Sequence, residues 1–228
     1  MLRARKRISK KELKHDAMLE AIYKVEVFVK KYSKQVMYGG AGLLAVIVIS
    51  AMMLNSKMEA EVKADSAVGI AQFKLLSGDF QDAEVRLEDA LRKYPGTRAA
   101  REGKFFLANA HYLLGNMEEA EKYYLKFLAE SSNDPILESS ANSGLAAIKE
   151  DNNDNLSAAN YYMKASVIST AKAQSKSYML SSIRNYYKSG EIERAREMVE
   201  DILADEDLDN KTKESAEYWK SIIMGTDG

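Results

Sequence analysis

The side chains that most often do chemistry are scarce in this chain. There is no cysteine, so disulfides, thiol nucleophiles and Cys-ligated zinc are all excluded. Two histidines occur, His15 and His111, far apart in sequence. Neither has the companions that a nucleophilic dyad or a histidine-based zinc site needs. His111 is expected to be an ordinary packing or surface residue. The acidic pairs Glu118–Glu119 and Glu191/Glu193 stand where helices should begin, and there carboxylates simply favour the helix dipole. "KEDNNDNLSA" lacks the glycine and the terminal glutamate of a calcium loop, so it reads as a turn. No glycine-rich phosphate loop follows a strand. The expectation is a chain with no catalytic residues, no metal site, no cofactor and no small-molecule substrate: not an enzyme.

Tyrosine is more promising as a binding residue. Tyr123–Tyr124 and Tyr161–Tyr162 recur at helical packing positions, so core is favoured for them. Tyr186–Tyr187 belong to a different kind of segment, considered below.

The elements that must carry these residues are helical. The 228 residues include only two prolines, Pro95 and Pro135, and are rich in alanine, leucine, glutamate and lysine. Residues 1–34 hold a charge balance of +7, which leaves −8 for the rest of a chain whose net charge is −1. A basic head on an acidic body implies two environments. The acidic body also argues against nucleic acid as a partner.

Between head and body runs "VMYGGAGLLAVIVISAMML", Val36 to Leu54, inside a charge-free stretch from Lys34 to Lys57. At about 1.5 Å per residue this spans roughly 28 Å, near the thickness of a bilayer's hydrocarbon core. A helix satisfies its own backbone there, so residues 35–56 are expected to form a single transmembrane helix. Gly39, Gly40 and Gly42 would allow close approach of another membrane helix, although glycine is common in such spans anyway. Lys30, Lys31 and Lys34 flank the N-terminal side, whereas Lys57 and Lys63 alternate with Glu59, Glu61 and Asp65. The positive-inside bias then places residues 1–34 in the cytoplasm and 57–228 outside it. The long head and long apolar core fit an uncleaved signal anchor rather than a cleaved signal peptide.

The head itself carries Ser9 and Glu12 in capping-box spacing, with a helix from about Lys10. Leu13, Ala17, Ala21, Val25 and Val29 recur every four residues. Such a helix suits anionic lipid, a cytoplasmic protein partner, or plain solvation, and the residues do not choose among them.

In the body, four windows align on a turn residue and an alanine five positions later: Gly78 with Ala83, Gly115 with Ala120, Asn153 with Ala158, Gly190 with Ala195. The alanines fall 37, 38 and 37 residues apart. A period of this size predicts stacked helical hairpins. The turn residue should adopt a left-handed conformation. The alanine should sit where paired helices cross, and Pro95 should close the second helix of its hairpin. Inter-repeat loops are expected to absorb the residues beyond the usual 34 or so. "NKTKESAEYWKSIIM" reads as a capping helix.

The second window, with Leu107, Ala108, Tyr112, Gly115, Ala120, Tyr124 and Leu128, resembles the tetratricopeptide repeat family. The resemblance covers about residues 62–205, with Asn153 in place of glycine and Ile202 where alanine is common. It implies an all-α fold of about four repeats plus a cap, a scaffold that binds proteins. In such arrays first helices line a concave groove. Counting back from the turns places Gln72, Leu75, Phe105, Asn109, Tyr112, Ala147, Arg184 and Tyr187 towards it. A mixed aromatic and polar lining suits an extended or helical peptide.

The larger arrangement resembles the ancillary subunit of the bacterial SecYEG translocon, with "ISKKELKHDAML" similar to the head of such proteins. That resemblance implies a bacterial inner-membrane protein with a periplasmic repeat domain. Its partners would be the secretion channel or periplasmic chaperones, in secretion or envelope assembly. The alternative is a structural subunit of a larger membrane complex, with an empty groove.

Overall fold

The computed structural model describes residues 10–130 and 134–225, and the side chains from residue 18 onwards. The Ser9–Glu12 capping box and the side chains of Leu13, His15 and Ala17 lie outside the described residues. The chain divides into two compact units, Met1–Met58 and Glu59–Gly228.

The first unit holds α1 (Lys10–Lys31) and the beginning of α2 (Ser33–Leu76). Only Tyr32 separates the two helices, and the Val36 N–H still reaches the Tyr32 carbonyl at 2.9 Å. On α1, Lys24 pairs with Glu20 at 2.8 Å and Lys30 with Glu26 at 2.7 Å, both one helical turn apart. From Met18 to Met58 every described side chain is exposed, including the run from Val36 to Leu54. Among the described residues α2 is long and apolar enough to cross a membrane, by length and composition.

The second unit is a solenoid of helical hairpins, entirely α-helical among the described residues. The end of α2 pairs with α3 (Phe80–Lys93). Then come α4 (Arg98–Leu113) with α5 (Met117–Ala129), α6 (Pro135–Asp151) with α7 (Asn155–Ile168), and α8 (Lys172–Lys188) with α9 (Ile192–Leu203). The last helix, α10 (Asn210–Met224), caps the array and covers the "NKTKESAEYWKSIIM" segment.

Each hairpin turns in the same way. Gly78, Gly115, Asn153 and Gly190 have φ of 82°, 83°, 61° and 84°. Around Gly115, its N–H reaches the Tyr112 carbonyl at 3.0 Å and the Asn116 N–H reaches the His111 carbonyl at 2.8 Å. That pair of bonds is a Schellman motif, and it recurs at the other three turns. The helix therefore stops at Gly115 because only a residue tolerant of positive φ can close it. The next helix starts immediately because the motif consumes just two or three residues.

Ala83, Ala120, Ala158 and Ala195 are fully buried at the crossings. Four apolar clusters follow one another along the array. Val68, Leu87 and Leu107 anchor the first; Phe105, Tyr124, Phe127 and Leu145 the second; Ala146, Tyr162 and Tyr178 the third; Ile183, Val199, Ile202 and Ile223 the last. Packing is tight at Gly144, where an added Cβ would meet the Tyr124 ring at 2.4 Å.

The extra residues of the period sit elsewhere than expected. The joins at 94–97 and 169–171 are short, while the first helices α4, α6 and α8 run to 16, 17 and 17 residues. Much of the excess over the usual repeat length thus lies in helix rather than loop. Pro95 follows the end of α3, and Thr97 then caps α4 by accepting from the Ala100 N–H at 3.1 Å.

Candidate protein-binding groove

First helices should present one face to a partner, and the structure concentrates such a face between the end of α2 and α4. A depression of about 280 Å³ is lined by Gln72, Leu75 and Leu76 from α2 and by Phe106, Asn109, Tyr112 and Leu113 from α4. Four of the residues expected in the groove, Gln72, Leu75, Asn109 and Tyr112, come together here.

Their polar groups are held from behind. The Tyr124 hydroxyl of α5 donates to Asn109 Oδ1. That bond takes one of the two lone pairs of the oxygen and fixes the amide's orientation, leaving its N–H donors and a second lone pair for a ligand. Burial, with a smaller contribution from neighbouring Tyr112, drives the Tyr124 phenol far above its ordinary range, so it remains a donor. The Tyr112 hydroxyl donates to Asp151 Oδ2 at 3.3 Å, across to the end of α6. Burial first and the Asp151 charge second also raise the Tyr112 phenol.

Phe105 is a correction. It is buried among Tyr124, Phe127 and Leu145, with its ring 5.8 Å from that of Phe127. Midway along α4 the neighbouring helices α5 and α6 cover the Phe105 ring, while Tyr112, two turns further on, is only half-buried. Phe106, one residue along, lines the depression instead. Arg184 and Tyr187 are also placed apart from it. The Arg184 guanidinium pairs with Glu150 at 2.8 Å, linking α8 to α6. The Tyr187 ring lies 5.9 Å from that of Trp219, packed towards the cap. Ala147 is half-buried on α6.

Glu150 is the hub of this second polar cluster. Besides Arg184 it accepts from Lys188 at 3.1 Å and from the Tyr162 hydroxyl at 3.4 Å. Burial pulls its carboxyl upward, but the Lys188 hydrogen bond and the Arg184 charge outweigh this and hold it below the ordinary carboxylate range. The Tyr162 phenol is pushed up to about 12, by burial first and by the Glu150 charge second. The cluster bridges α6 and α8, and its two cations share the one Glu150 carboxylate.

Sequence reasoning missed Leu76, Phe106 and Leu113. Two of them had a signal. Leu76 and Leu113 each stand two residues before a turn glycine, and both are exposed despite being leucine. The lining offers apolar surface and amide donors, with no nucleophile and base in contact.

The fold and this lining define a class: a helical-hairpin solenoid with a mixed apolar and polar depression on its first helices. Residues 74–135 match the family described as Tetratricopeptide repeat. Among solved structures, the chain is similar to a crystal structure of nearly identical tetratricopeptide-like repeats of a kinesin light chain from Podosopora anserina. The two share 18% identity with a TM-score of 0.56, over 73% of this chain and 87% of that one. No curated protein sequence matches the chain. What the structural likeness shows is the fold.

Proposed function

We propose that this protein is a membrane-anchored scaffold whose depression between α2 and α4 binds a peptide segment of a client protein. The observation that carries the reading is the convergence of Gln72, Leu75, Asn109 and Tyr112 on one depression, rimmed by exposed Leu76 and Leu113. Exposed leucines beside fixed amide and phenol groups suit a short apolar segment whose backbone needs donors and acceptors. Val36 to Leu54 would hold the scaffold in a bacterial inner membrane, with the repeat domain on the periplasmic side. The clients would then be secreted or envelope proteins, the translocon itself, or periplasmic chaperones. No translocon relative stands among the matches above, and that association rests on the resemblance of head, anchor and repeat domain alone.

The test compares clients recovered with the full-length protein from gently solubilised membranes with those recovered by Leu76→Glu/Leu113→Glu. Both positions are exposed, so the thermal melt should not move. Client capture should fall at least tenfold. Equal capture by the variant would remove the groove and favour a structural subunit that is held by other surfaces.

A further inference from the structure

His111 is harder to account for than its sequence context promises. It sits on α4 with only 4% of its surface exposed, yet neither ring nitrogen makes a hydrogen bond. Its Nδ1 lies 3.2 Å from Glu84 Oε1 without the geometry of one. A buried polar group without a partner is costly, and native structures hold few of them. The ring is fixed by stacking on Tyr123 of α5, with centroids 5.4 Å apart and planes 20° from parallel. Packing therefore holds an imidazole in place with Nε2 unpartnered and Nδ1 in contact with the Glu84 carboxylate.

Facing it are two carboxylates of α3. Glu84 and Glu88 stand four residues apart, on one face of the helix. One donor atom from each of Glu84, Glu88 and His111 lies within 4.8 Å of the others. We propose that these three residues bind a zinc ion, which ties α3 of the first hairpin to α4 of the second.

The donor set fits that ion. One imidazole nitrogen with two carboxylate oxygens is a borderline set that suits Zn²⁺ better than Mg²⁺, which prefers oxygen alone. Ligand bonds of about 2.1 Å place tetrahedral donors roughly 3.5 Å apart, so the cluster must tighten by about 1 Å. Glu88 is exposed and can swing inward, while His111 is rigid. Water or a partner's side chain would complete the shell. Positive groups nearby are engaged elsewhere: Arg92, one turn beyond Glu88, with Asp89 at 2.6 Å, Lys122 with Glu119, and Lys126 over the Tyr123 ring at 4.8 Å. Counting histidines alone conceals this set, because two of its three members are glutamates brought in from the preceding hairpin.

The experiment uses untagged full-length protein in detergent, stripped with chelator and titrated with zinc chloride by calorimetry. One zinc per chain should bind with micromolar or tighter affinity, and the thermal melt should rise by several degrees. Magnesium at a hundredfold excess should not compete. Glu88→Gln, at an exposed position, should leave the metal-free melt unchanged and weaken zinc at least tenfold. His15→Ala, which alters the chain's other histidine, should bind zinc as the parent does. The proposal is overturned if zinc does not saturate below about 100 μM, if Glu88→Gln binds like the parent, or if His15→Ala abolishes binding.

Discussion

Tyrosines are the residues in which burial and protonation are most tightly linked in this chain. Tyr112, Tyr124 and Tyr162 all have phenols raised above the ordinary value near 10. A group whose pKa is raised on folding stabilises the fold fully below its unfolded pKa and loses that contribution as pH climbs through the folded one. For Tyr162 the window runs from about pH 10 to about 12. Lysines such as Lys149, raised first by their hydrogen bond to Glu121, lose their pairing over an overlapping alkaline range. The urea midpoint should therefore be flat between neutrality and pH 9 and fall steeply above pH 10. Tyr162→Phe should make that fall shallower, since it removes one ionising group and only a long 3.4 Å hydrogen bond. Denaturation curves at a series of pH values decide the point, and parallel curves for parent and variant would show that Tyr162 ionises as freely folded as unfolded.

Helices and their turns were the most legible part of the chain, for a local reason. A Schellman turn needs positive φ, which narrows the residue to glycine or asparagine, so Gly78, Gly115, Asn153 and Gly190 announce themselves. The buried alanines are equally plain, because only a small side chain fits a close helix crossing. The groove was half legible. Spacing by three and four put Asn109 and Tyr112 on the helix face that lines the depression, but it could not tell Phe105 from Phe106. Which of two adjacent aromatics is covered depends on where α6 crosses, and that is set by residues more than thirty positions away. Long-range caps were invisible for the same reason. Glu61, on α2, accepts from the Arg98 and Ala99 N–H groups at 3.1 and 3.2 Å, adding to the Thr97 cap at the start of α4. It meets two backbone donors that the helix itself cannot satisfy. Glu61→Ala should cost about 1 kcal/mol in chemical denaturation, while Glu59→Ala, whose partner is the exposed Lys63 one turn away, should cost clearly less. Equal losses would mean that the cap contributes no more than a surface ion pair.

At the scale of the whole chain, charge and apolarity argue for opposite surroundings at its two ends. The head to residue 34 carries +7 and the remainder −8. Val36 to Leu54 stays exposed in its helix, with Leu43, Leu44, Val46 and Ile47 each more than half accessible. Water penalises such a surface at roughly 25 cal/mol per Å², and no folded element covers it within the unit it belongs to. A bilayer would remove that penalty, and the flanking lysines would then select the orientation. The expected topology has residues 1–34 in the cytoplasm and the repeat domain on the other side. A reporter active only outside the cytoplasm, fused after Gly228, should be active, and one active only inside should be silent. Reversing the bias tests the cause: Lys30→Glu, Lys31→Glu and Lys34→Glu together, with Glu59→Lys and Glu61→Lys, should send a large share of chains in inverted. The opposite reporter pattern in the parent would place the groove in the cytoplasm and withdraw every periplasmic client from consideration. Reporter activity unchanged by the charge reversal would mean that another feature sets the orientation, with the folded repeat domain the first to examine.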